Sequence, residues 1–317
     1  MNTKEWLSAS RPRTLPLAVS CVLLGAAVAK AEISGVQTTP FMGVVVGGAL
    51  LTVVLLQILA NFANDYGDFV KGTDVDAGRQ DRALASGAIQ PMAMKRALVI
   101  TSGLAFVAGV ATIWASLGPG ASEVALEWKA EATSALVVLG VLAILASIKY
   151  TVGSKSYGYS GLGDLFVFLF FGWIGVMGVG FLVAHDLNWT WLLPATFSGC
   201  MSVAVLNLNN LRDHENDRSS GKNTLVVRMG FGRAKTYHLL ILGLGWCCLG
   251  LYFWGPWMTG QWRGTMWYAL IALVHAKHGW MVHQNQNPQK LDPELRRVAL
   301  STFVIGLFMF LDQTLSA

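Results

Sequence analysis

Residues 41–63 read FMGVVVGGALLTVVLLQILANFA, and residues 64–74 follow directly as NDYGDFVKGTD. The first stretch is apolar over a length that can cross the hydrocarbon core of a bilayer, which takes about 20 residues. The second stretch contains three aspartates and an asparagine. This junction predicts a membrane-spanning helix that leaves the bilayer directly at a polar site.

The composition extends this pattern to the whole chain of 317 residues, of which 54% are hydrophobic and 13% are charged. A soluble domain carries about 25% charged residues. Here the charges are concentrated between long apolar runs, as in proteins that span a bilayer. We therefore expect an all-α, polytopic membrane bundle that forms a single domain over residues 1–317. Nine apolar runs are candidate spans: 14–31, 41–63, 97–118, 133–149, 162–184, 189–208, 237–254, 264–282 and 297–316.

The distribution of Lys and Arg predicts the orientation of these spans. With nine spans, the amino terminus and the segments 64–96, 149–161, 209–236 and 277–297 lie on one side and hold 20 of the 23 Lys and Arg residues. Cytoplasmic segments of membrane proteins carry such an excess. We expect a multi-pass protein of a bacterial inner membrane, with its amino terminus in the cytoplasm and its carboxyl terminus in the periplasm. The segments 64–96 and 209–236 are then long cytoplasmic loops.

The second long loop repeats the acidic pattern of the first. It begins NLNNLRDHENDRSSGKNT at residues 207–224, and its Asn209, Asp213 and Asp217 are four residues apart, as are Asn64 and Asp68. Side chains with this spacing share one face of a helix, and neighbouring carboxylates repel one another unless a cation binds between them. Oxygen ligands select Mg²⁺ or Ca²⁺, and Mg²⁺ is shared with substrate phosphates. The predicted metal ligands are Asn64, Asp68, Asp213 and Asp217, with Asp65 and Asp74 as further candidates.

Basic residues near both acidic clusters fit a substrate that carries a diphosphate. Acids that hold a metal, together with bases that bind phosphate oxygens, stabilise a leaving diphosphate. A catalytic role is predicted for Asp68, Asp213 and Asp217, and no residue is identified as a general base. The candidates for diphosphate binding are Lys222, Lys71, Arg82, Lys155 and Arg228.

Other interpretations of these features are open from the sequence. The Asp and Asn residues could cap helices or form turns in solvated loops. The aromatic segment 149–164, KYTVGSKSYGYSGLGD, could lie at the membrane interface or contribute to a substrate site. A cation-coupled transporter would place its acids at mid-bilayer, whereas these acids cluster at the ends of spans. His275 and His278 lack an evident third ligand and are interpreted as packing or interfacial residues.

The motifs resemble those of the UbiA superfamily of intramembrane prenyltransferases. The similar stretches are RPRTLP at the first span, NFANDYGDFVKGTD, KYTVGSKSYGYSGLGD and NLNNLRDHENDRSSGKNTLVVRMG, which lie between residues 11 and 230. The last three predicted helices resemble the superfamily in hydrophobicity alone. The superfamily pattern has a third acid where this chain has Gly72, and Asp74 is a candidate substitute for it. The branch that prenylates 1,4-dihydroxy-2-naphthoate is similar at this point.

The resemblance implies both an architecture and a reaction. The helices would surround a central cavity open towards the membrane, where the two motifs hold two Mg²⁺ ions and the diphosphate of a polyprenyl donor. Ionisation of the donor would give an allylic cation, which the naphthalene ring attacks. Loss of CO2 and diphosphate would then give demethylmenaquinone. Within the superfamily, 4-hydroxybenzoate and haem are alternative acceptors, and no nucleic-acid partner is implied.

Overall fold

The structure, a computed structural model, describes residues 3–32, 40–76, 82–117, 129–258 and 265–315, and this part of the chain contains helices and turns but no strand. The α-helices are α1 (Thr3–Ala9), α2 (Leu15–Glu32), α3 (Pro40–Val70), α4 (Thr73–Asp76), α5 (Pro91–Leu117), α6 (Lys129–Lys149), α7 (Gly163–Phe168), α8 (Gly178–Ala184), α9 (Leu192–Ser219), α10 (Leu225–Met229), α11 (Phe231–Met258), α12 (Thr265–Gln284) and α13 (Asp292–Leu315). A π-helical segment, Leu169–Met177, joins α7 to α8 in one continuous helix.

Seven helices in the described part of the chain are long and apolar enough to cross a membrane by their length and composition. They coincide with the first seven predicted runs and confirm a polytopic, all-α fold. The predicted count of nine spans is too high by this measure. Helices α12 and α13 lie where the eighth and ninth runs were predicted, but polar residues lower their hydropathy. In α12 these residues include His275, Lys277 and His278, and α13 begins with Asp292 and Glu294.

Helices α2 and α9 lie at the centre of the bundle, where α2 packs against α3, α8, α9 and α13. Glycines permit this close approach, as is common between membrane helices. A Cβ added at Gly25 would lie 2.5 Å from the carbonyl oxygen of Val176, and one at Gly172 would lie 2.8 Å from the carbonyl oxygen of Ala195. The outward faces of the other helices expose large apolar side chains, as contact with lipid requires: Val99, Trp114, Leu240, Leu273 and Trp280.

A buried chain of polar side chains joins the last three helices to α9. His238 Nε2 on α11 lies 2.8 Å from His278 Nε2 on α12, and His278 Nδ1 lies 2.6 Å from Glu294 Oε2 on α13. At the other end of the chain, His238 Nδ1 lies 3.2 Å from Asn207 Oδ1 on α9. All four side chains are buried. Because each satisfies the next, this chain fixes the position of α11, α12 and α13 against α9.

His275 occupies a second buried position on α12. Its Nδ1 accepts a hydrogen bond of 3.0 Å from the indole N–H of Trp246, and its Nε2 lies 2.5 Å from Ser301 Oγ. The structure therefore places His275 and His278 in contacts between helices. Among the described residues, no group of three or more His, Cys, Asp or Glu side chains could hold a metal ion by itself.

Both helices that carry the acidic motifs end beside a glycine. Helix α3 ends at Val70 and is followed by Gly72 with φ of 80°, and α9 is followed by Gly221 with φ of 74°. Glycine adopts this left-handed backbone readily, and it commonly ends a helix. Helices α3 and α9 thus continue beyond the apolar runs and carry the motif residues on their final turns. The segments 64–96 and 209–236, predicted as loops, therefore begin as helix.

Candidate active site

A cavity of ≈ 370 Å³ lies between α2, α3, α5, α6, the continuous helix α7–α8 and α9. Its lining residues on α3 run from Ala49 to Asp68, a distance of roughly 28 Å at the helical rise of 1.5 Å per residue. The wall that faces the acidic motifs is polar. The greater part of the lining is apolar and includes Leu17, Leu56, Leu136, Phe170 and Ile174. The cavity is therefore polar at one end and mostly apolar along its length.

The two acidic motifs meet at the polar end of this cavity. Asn64 and Asp68 line it from α3, and Asp213 and Asp217 line it from α9. Asp74, on the short helix α4, lines the same cavity. Asp68, Asp74 and Asp217 are buried. The spacing of four residues thus presents each pair to one space, as the sequence predicted from the helical repeat.

Lys222 directly connects the two motifs. Its Nζ lies 3.2 Å from Asp68 Oδ2 and 4.0 Å from Asp217 Oδ1. Burial by itself lowers the pKa of a lysine, but the carboxylates of Asp68 and Asp217 more than offset this and raise the pKa of Lys222. The side chain is therefore a buried ammonium ion between two acids. A positive charge at this point is stabilised from both helices.

Tyr159 holds Asp68 from the aromatic segment between α6 and α7. Its hydroxyl donates a hydrogen bond of 2.8 Å to Asp68 Oδ1 and lies 2.6 Å from Thr73 Oγ1. Burial and the charge of Asp68 raise the pKa of the Tyr159 phenol, which stays protonated as a donor. Lys71 Nζ lies 3.5 Å from the centre of the Tyr159 ring and hydrogen-bonds to Ser156 Oγ. Tyr159 therefore fixes the orientation of a predicted metal ligand.

Arg11 approaches the first motif from the opposite wall. With its amide oriented to satisfy both neighbours, Asn64 donates to Asp68 Oδ2 at 3.2 Å and accepts two hydrogen bonds from Arg11 at 2.7 and 3.0 Å. Arg11 lines the cavity and has φ of 49°, a left-handed conformation that costs energy for a residue with a side chain. Asn61, one turn before Asn64, donates to the carbonyl oxygen of Ser10 at 2.8 Å and so fixes the RPRTLP segment on α3.

Arg212 holds the first acid of the second motif. Its Nε and Nη2 donate to the two carboxylate oxygens of Asp213, both at 2.8 Å. Arg82 forms a longer ion pair with Asp74, in which its Nε lies 3.8 Å from Asp74 Oδ1. Arg82 and Arg212 both line the cavity. Each motif thus has a guanidinium group beside its acids and at the cavity wall.

The remaining predicted residues lie outside the cavity lining. Asp65 is buried on α3, and Lys71 contacts Ser156 and Tyr159 as described. Lys155 is exposed in the turn before Ser156. Arg228 is exposed on α10 and donates to the carbonyl oxygen of Ser160 at 2.8 Å. The structure therefore brings Lys222 and Arg82 to the site, and it does not bring Lys155 or Arg228 there.

Gly72 stands where the superfamily pattern has an acid, and its backbone is left-handed. Its φ of 80° allows the chain to turn from α3 into α4, and α4 returns Asp74 to the cavity. An aspartate at position 72 would be strained in this conformation. Asp74 is thus positioned by the turn that Gly72 makes.

The donor set fits Mg²⁺, although no cage of protein ligands is complete in the described residues. Carboxylate and amide oxygens are hard ligands, and Mg²⁺ uses one or two carboxylates and completes its shell with water and phosphate oxygens. Asp68 and Asp217 already stabilise the positive charge of Lys222 between them. Asn64, Asp68, Asp213 and Asp217 are the side chains that would hold the metal.

These features define a class, a multi-pass helical membrane protein with an acid-lined site at one end of a long apolar cavity. The chain belongs to the UbiA prenyltransferase family, whose model matches residues 18–303. Membership of this family makes it a prenyltransferase of the membrane.

Similar proteins have been found in sequence and in structure. A 1,4-dihydroxy-2-naphthoate octaprenyltransferase of Escherichia coli is 41% identical over 97% of this chain and 96% of its own length. A protein of the same description from Haemophilus influenzae is 37% identical over 97% of this chain and 95% of its own length. A UbiA homologue from Archaeoglobus fulgidus, bound to DMAPP and Mg²⁺, has a TM-score of 0.55 at 14% identity and covers 96% of this chain and 99% of its own. The structural similarity to this archaeal protein shows that the two chains share a fold.

Proposed function

We propose that the protein transfers a polyprenyl group from polyprenyl diphosphate to 1,4-dihydroxy-2-naphthoate, releasing CO2 and diphosphate and giving the prenylated 1,4-dihydroxynaphthalene, which is the reduced (quinol) form of demethylmenaquinone. The observation that carries the proposal is the contact of Lys222 with Asp68 and Asp217, since it joins two acidic helix ends into one site. Two relatives of this chain, at 41% and 37% identity, are named for the prenylation of this acceptor.

The polar end of the cavity binds the diphosphate of the donor. Lys222, Arg82 and Arg212 line it and supply cationic N–H donors for phosphate oxygens. Asn64, Asp68, Asp213 and Asp217 would hold Mg²⁺, which would supply positive charge to neutralise the leaving diphosphate.

The residues of this site favour heterolytic cleavage of the bond between the diphosphate and the allylic carbon. The diphosphate departs with the bonding electron pair and is held by the buried ammonium of Lys222, whose charge is already in place before the reaction. The allylic cation that remains lies towards the apolar wall, where Phe166 and Phe170 exclude water. The electron-rich ring of the acceptor attacks the allylic carbon. Loss of the carboxylate as CO2 returns its bonding electrons to the ring, so that no general base is required.

The apolar length of the cavity accommodates the prenyl chain. Its lining combines side chains from α2, α3, α5, α6 and α7–α8, and burial of each methylene group in such a wall is favourable by about 0.8 kcal/mol. The two relatives named above act on an octaprenyl donor according to their names. We infer an octaprenyl or similar donor, bound with its head among the acids.

The site lies at the cytoplasmic face of a bacterial inner membrane in this proposal, with the amino terminus in the cytoplasm. The asymmetry of Lys and Arg supports this orientation. Cysteine labelling in intact cells tests it. A single cysteine in place of Ser219, next to the second motif, is expected to react with a membrane-impermeant thiol reagent after the cells are permeabilised and not before. Reaction in intact cells would reverse the orientation.

The experiment that tests the reaction uses the purified protein in detergent with Mg²⁺, octaprenyl diphosphate and separate aromatic acids. With 1,4-dihydroxy-2-naphthoate, mass spectrometry is expected to show the prenylated product without its carboxylate, and chelation of Mg²⁺ is expected to abolish it. A similar kcat/KM with 4-hydroxybenzoate would contradict the proposed acceptor. Absence of any prenylated product would contradict the proposed function.

A further inference from the structure

The last three helices contribute no residue to the cavity lining in the described part of the chain. Nevertheless α13 begins with Asp292 at the same end of the bundle as the acidic motifs. Arg212 Nη1 donates to Asp292 Oδ1, and the same guanidinium group donates through Nε and Nη2 to Asp213. Arg212 thus lies between an acid of the proposed metal site and an acid from a helix outside it.

We propose that Asp292 is a positioning residue for the acidic site, acting through Arg212 on the carboxylate of Asp213. This inference rests on the proposed function. Asp292 is separated from Arg212 by 80 positions in the chain, so the contact is made by the fold and is not part of the acidic motif.

The geometry of Arg212 explains how a distant acid can orient Asp213. The guanidinium group is planar and rigid, and its donors point in fixed directions. Two of its edges are engaged, one by Asp213 and one by Asp292, so the plane cannot rotate without losing one of these ion pairs. The side chains of Arg212 and Asp213 are 7% and 18% exposed, so water screens this pair weakly, whereas the Asp292 side chain is 46% exposed. Asp213 is held in one orientation as a result.

Asp292 also limits how strongly Arg212 neutralises Asp213. A guanidinium group that is shared between two carboxylates leaves more negative charge on each than one that serves a single carboxylate. Without the charge of Asp292, Arg212 would pair with Asp213 alone and compete with a bound cation. Loss of Asp292 should therefore weaken metal binding in two ways. The guanidinium plane of Arg212 could rotate, and its charge would be shared with no carboxylate other than that of Asp213.

An ordinary structural role for Asp292 is the alternative. An acid at the start of a helix is stabilised by the backbone N–H groups of the first turn. Here the Asp292 carboxylate instead accepts hydrogen bonds from two arginines, Arg212 and Arg13, the latter at 3.0 and 3.2 Å. Arg13 belongs to the RPRTLP segment, which brings Arg11 to Asn64. Asp292 therefore contacts both α9, through Arg212, and the RPRTLP segment, through Arg13.

The test is the binding of Mn²⁺, as a paramagnetic substitute for Mg²⁺, to the purified full-length protein with inorganic pyrophosphate, measured by electron paramagnetic resonance. We expect Asp292→Asn to raise the Kd for Mn²⁺ about 10-fold, as substitutions behind metal ligands commonly do. The Mg²⁺ concentration for half-maximal transfer should rise in parallel, and kcat should recover at saturating Mg²⁺. Asp292→Glu, which keeps the carboxylate, should restore most of the affinity.

Two further variants separate positioning from general damage. Asp312→Asn removes an acid from the far end of the same helix and should leave the Kd unchanged. Arg13→Gln removes the other partner of Asp292 and should change the Kd much less than Asp292→Asn. An unchanged Kd in Asp292→Asn, or a thermal midpoint that falls without a change in Kd, would overturn the inference. Failure of the unsubstituted protein to bind Mn²⁺ would instead contradict the proposed function, and the inference with it.

Discussion

Lys222 Nζ lies 3.2 Å from Asp68 Oδ2, although the two residues are 154 positions apart in the chain. The contact crosses the polar end of the cavity from the segment after α9 to the last turns of α3. It brings an ammonium ion to a buried carboxylate and so offsets part of the cost of burying that charge. The two acidic segments therefore form one site and not two separate loops.

Replacement of Lys222 tests its contribution to stability and its contribution to prenyl transfer. Lys222→Gln removes the ammonium ion that lies between Asp68 and Asp217, so repulsion between the two carboxylates should lower the thermal midpoint of the purified protein. Added Mg²⁺ should raise this midpoint more in the variant than in the unsubstituted protein, because the metal then supplies the missing charge. Transfer should fall by about 100-fold, as when a group that stabilises a leaving anion is removed. Differential scanning fluorimetry and product formation measure the two effects.

Lys155→Gln is the matched control for that experiment. Lys155 is exposed, and it is absent from the lining of the cavity. Although the sequence marks it as a diphosphate candidate, its position predicts that the KM for the polyprenyl donor changes by less than about twofold, as is usual for a surface substitution. A rise in this KM comparable with that of Lys222→Gln would show that the segment 149–161 moves to the donor on binding.

The hydroxyl of Tyr159 has a separate role in holding Asp68. Tyr159→Phe removes the donor to Asp68 Oδ1 and keeps the ring beside Lys71. We expect kcat to fall by roughly 10- to 100-fold with the fold retained, the range for a residue that orients a metal ligand. Tyr66→Phe, on α3 outside the cavity lining, is the control. The measurement is kcat from steady-state kinetics at saturating Mg²⁺. Equal kcat values for the two variants would contradict the role of the Tyr159 hydroxyl in holding Asp68.

The buried polar chain between α9 and the last three helices should govern stability and not chemistry. His278→Ala leaves His238 and Glu294 without this partner, and a buried polar group that loses its partner costs about 1–3 kcal/mol. The thermal midpoint should fall, while the activity of the folded fraction at low temperature should stay near that of the unsubstituted protein. His283→Ala on the exposed side of α12 should change neither quantity. Loss of activity without loss of stability would assign His278 to the reaction.

The sequence predicted those parts of the molecule that depend on local periodicity. Apolar length predicted the first seven spans, and the four-residue spacing predicted that Asn64 and Asp68 share a face, because both follow from the geometry of a single helix. The predicted count of nine spans is too high by length and composition, since polar residues such as His278 and Glu294 lower the hydropathy of the last two helices.

The parts that the sequence did not predict depend on contacts between distant segments. The predicted role of the aromatic segment was ambiguous because its conformation decides whether Tyr159 or Lys155 reaches Asp68. No sequence pattern indicated a role for Asp292, because its contact with Arg212 depends on the packing of α13 against α9. Among the bases, burial separates Lys222 from Lys155, and burial after a helix end cannot be inferred from charge alone.

The most direct test of the account is the Mg²⁺-dependent rate of prenyl transfer by Asp68→Ala and by Asp213→Ala, one substitution from each helix, in purified protein whose thermal midpoint shows that it is folded. If the two acids serve one metal-dependent site, each variant should lose transfer by at least about 100-fold. The double variant should then be little worse than either single variant, because the two residues act as a unit. Near-normal turnover in either folded single variant would contradict the account.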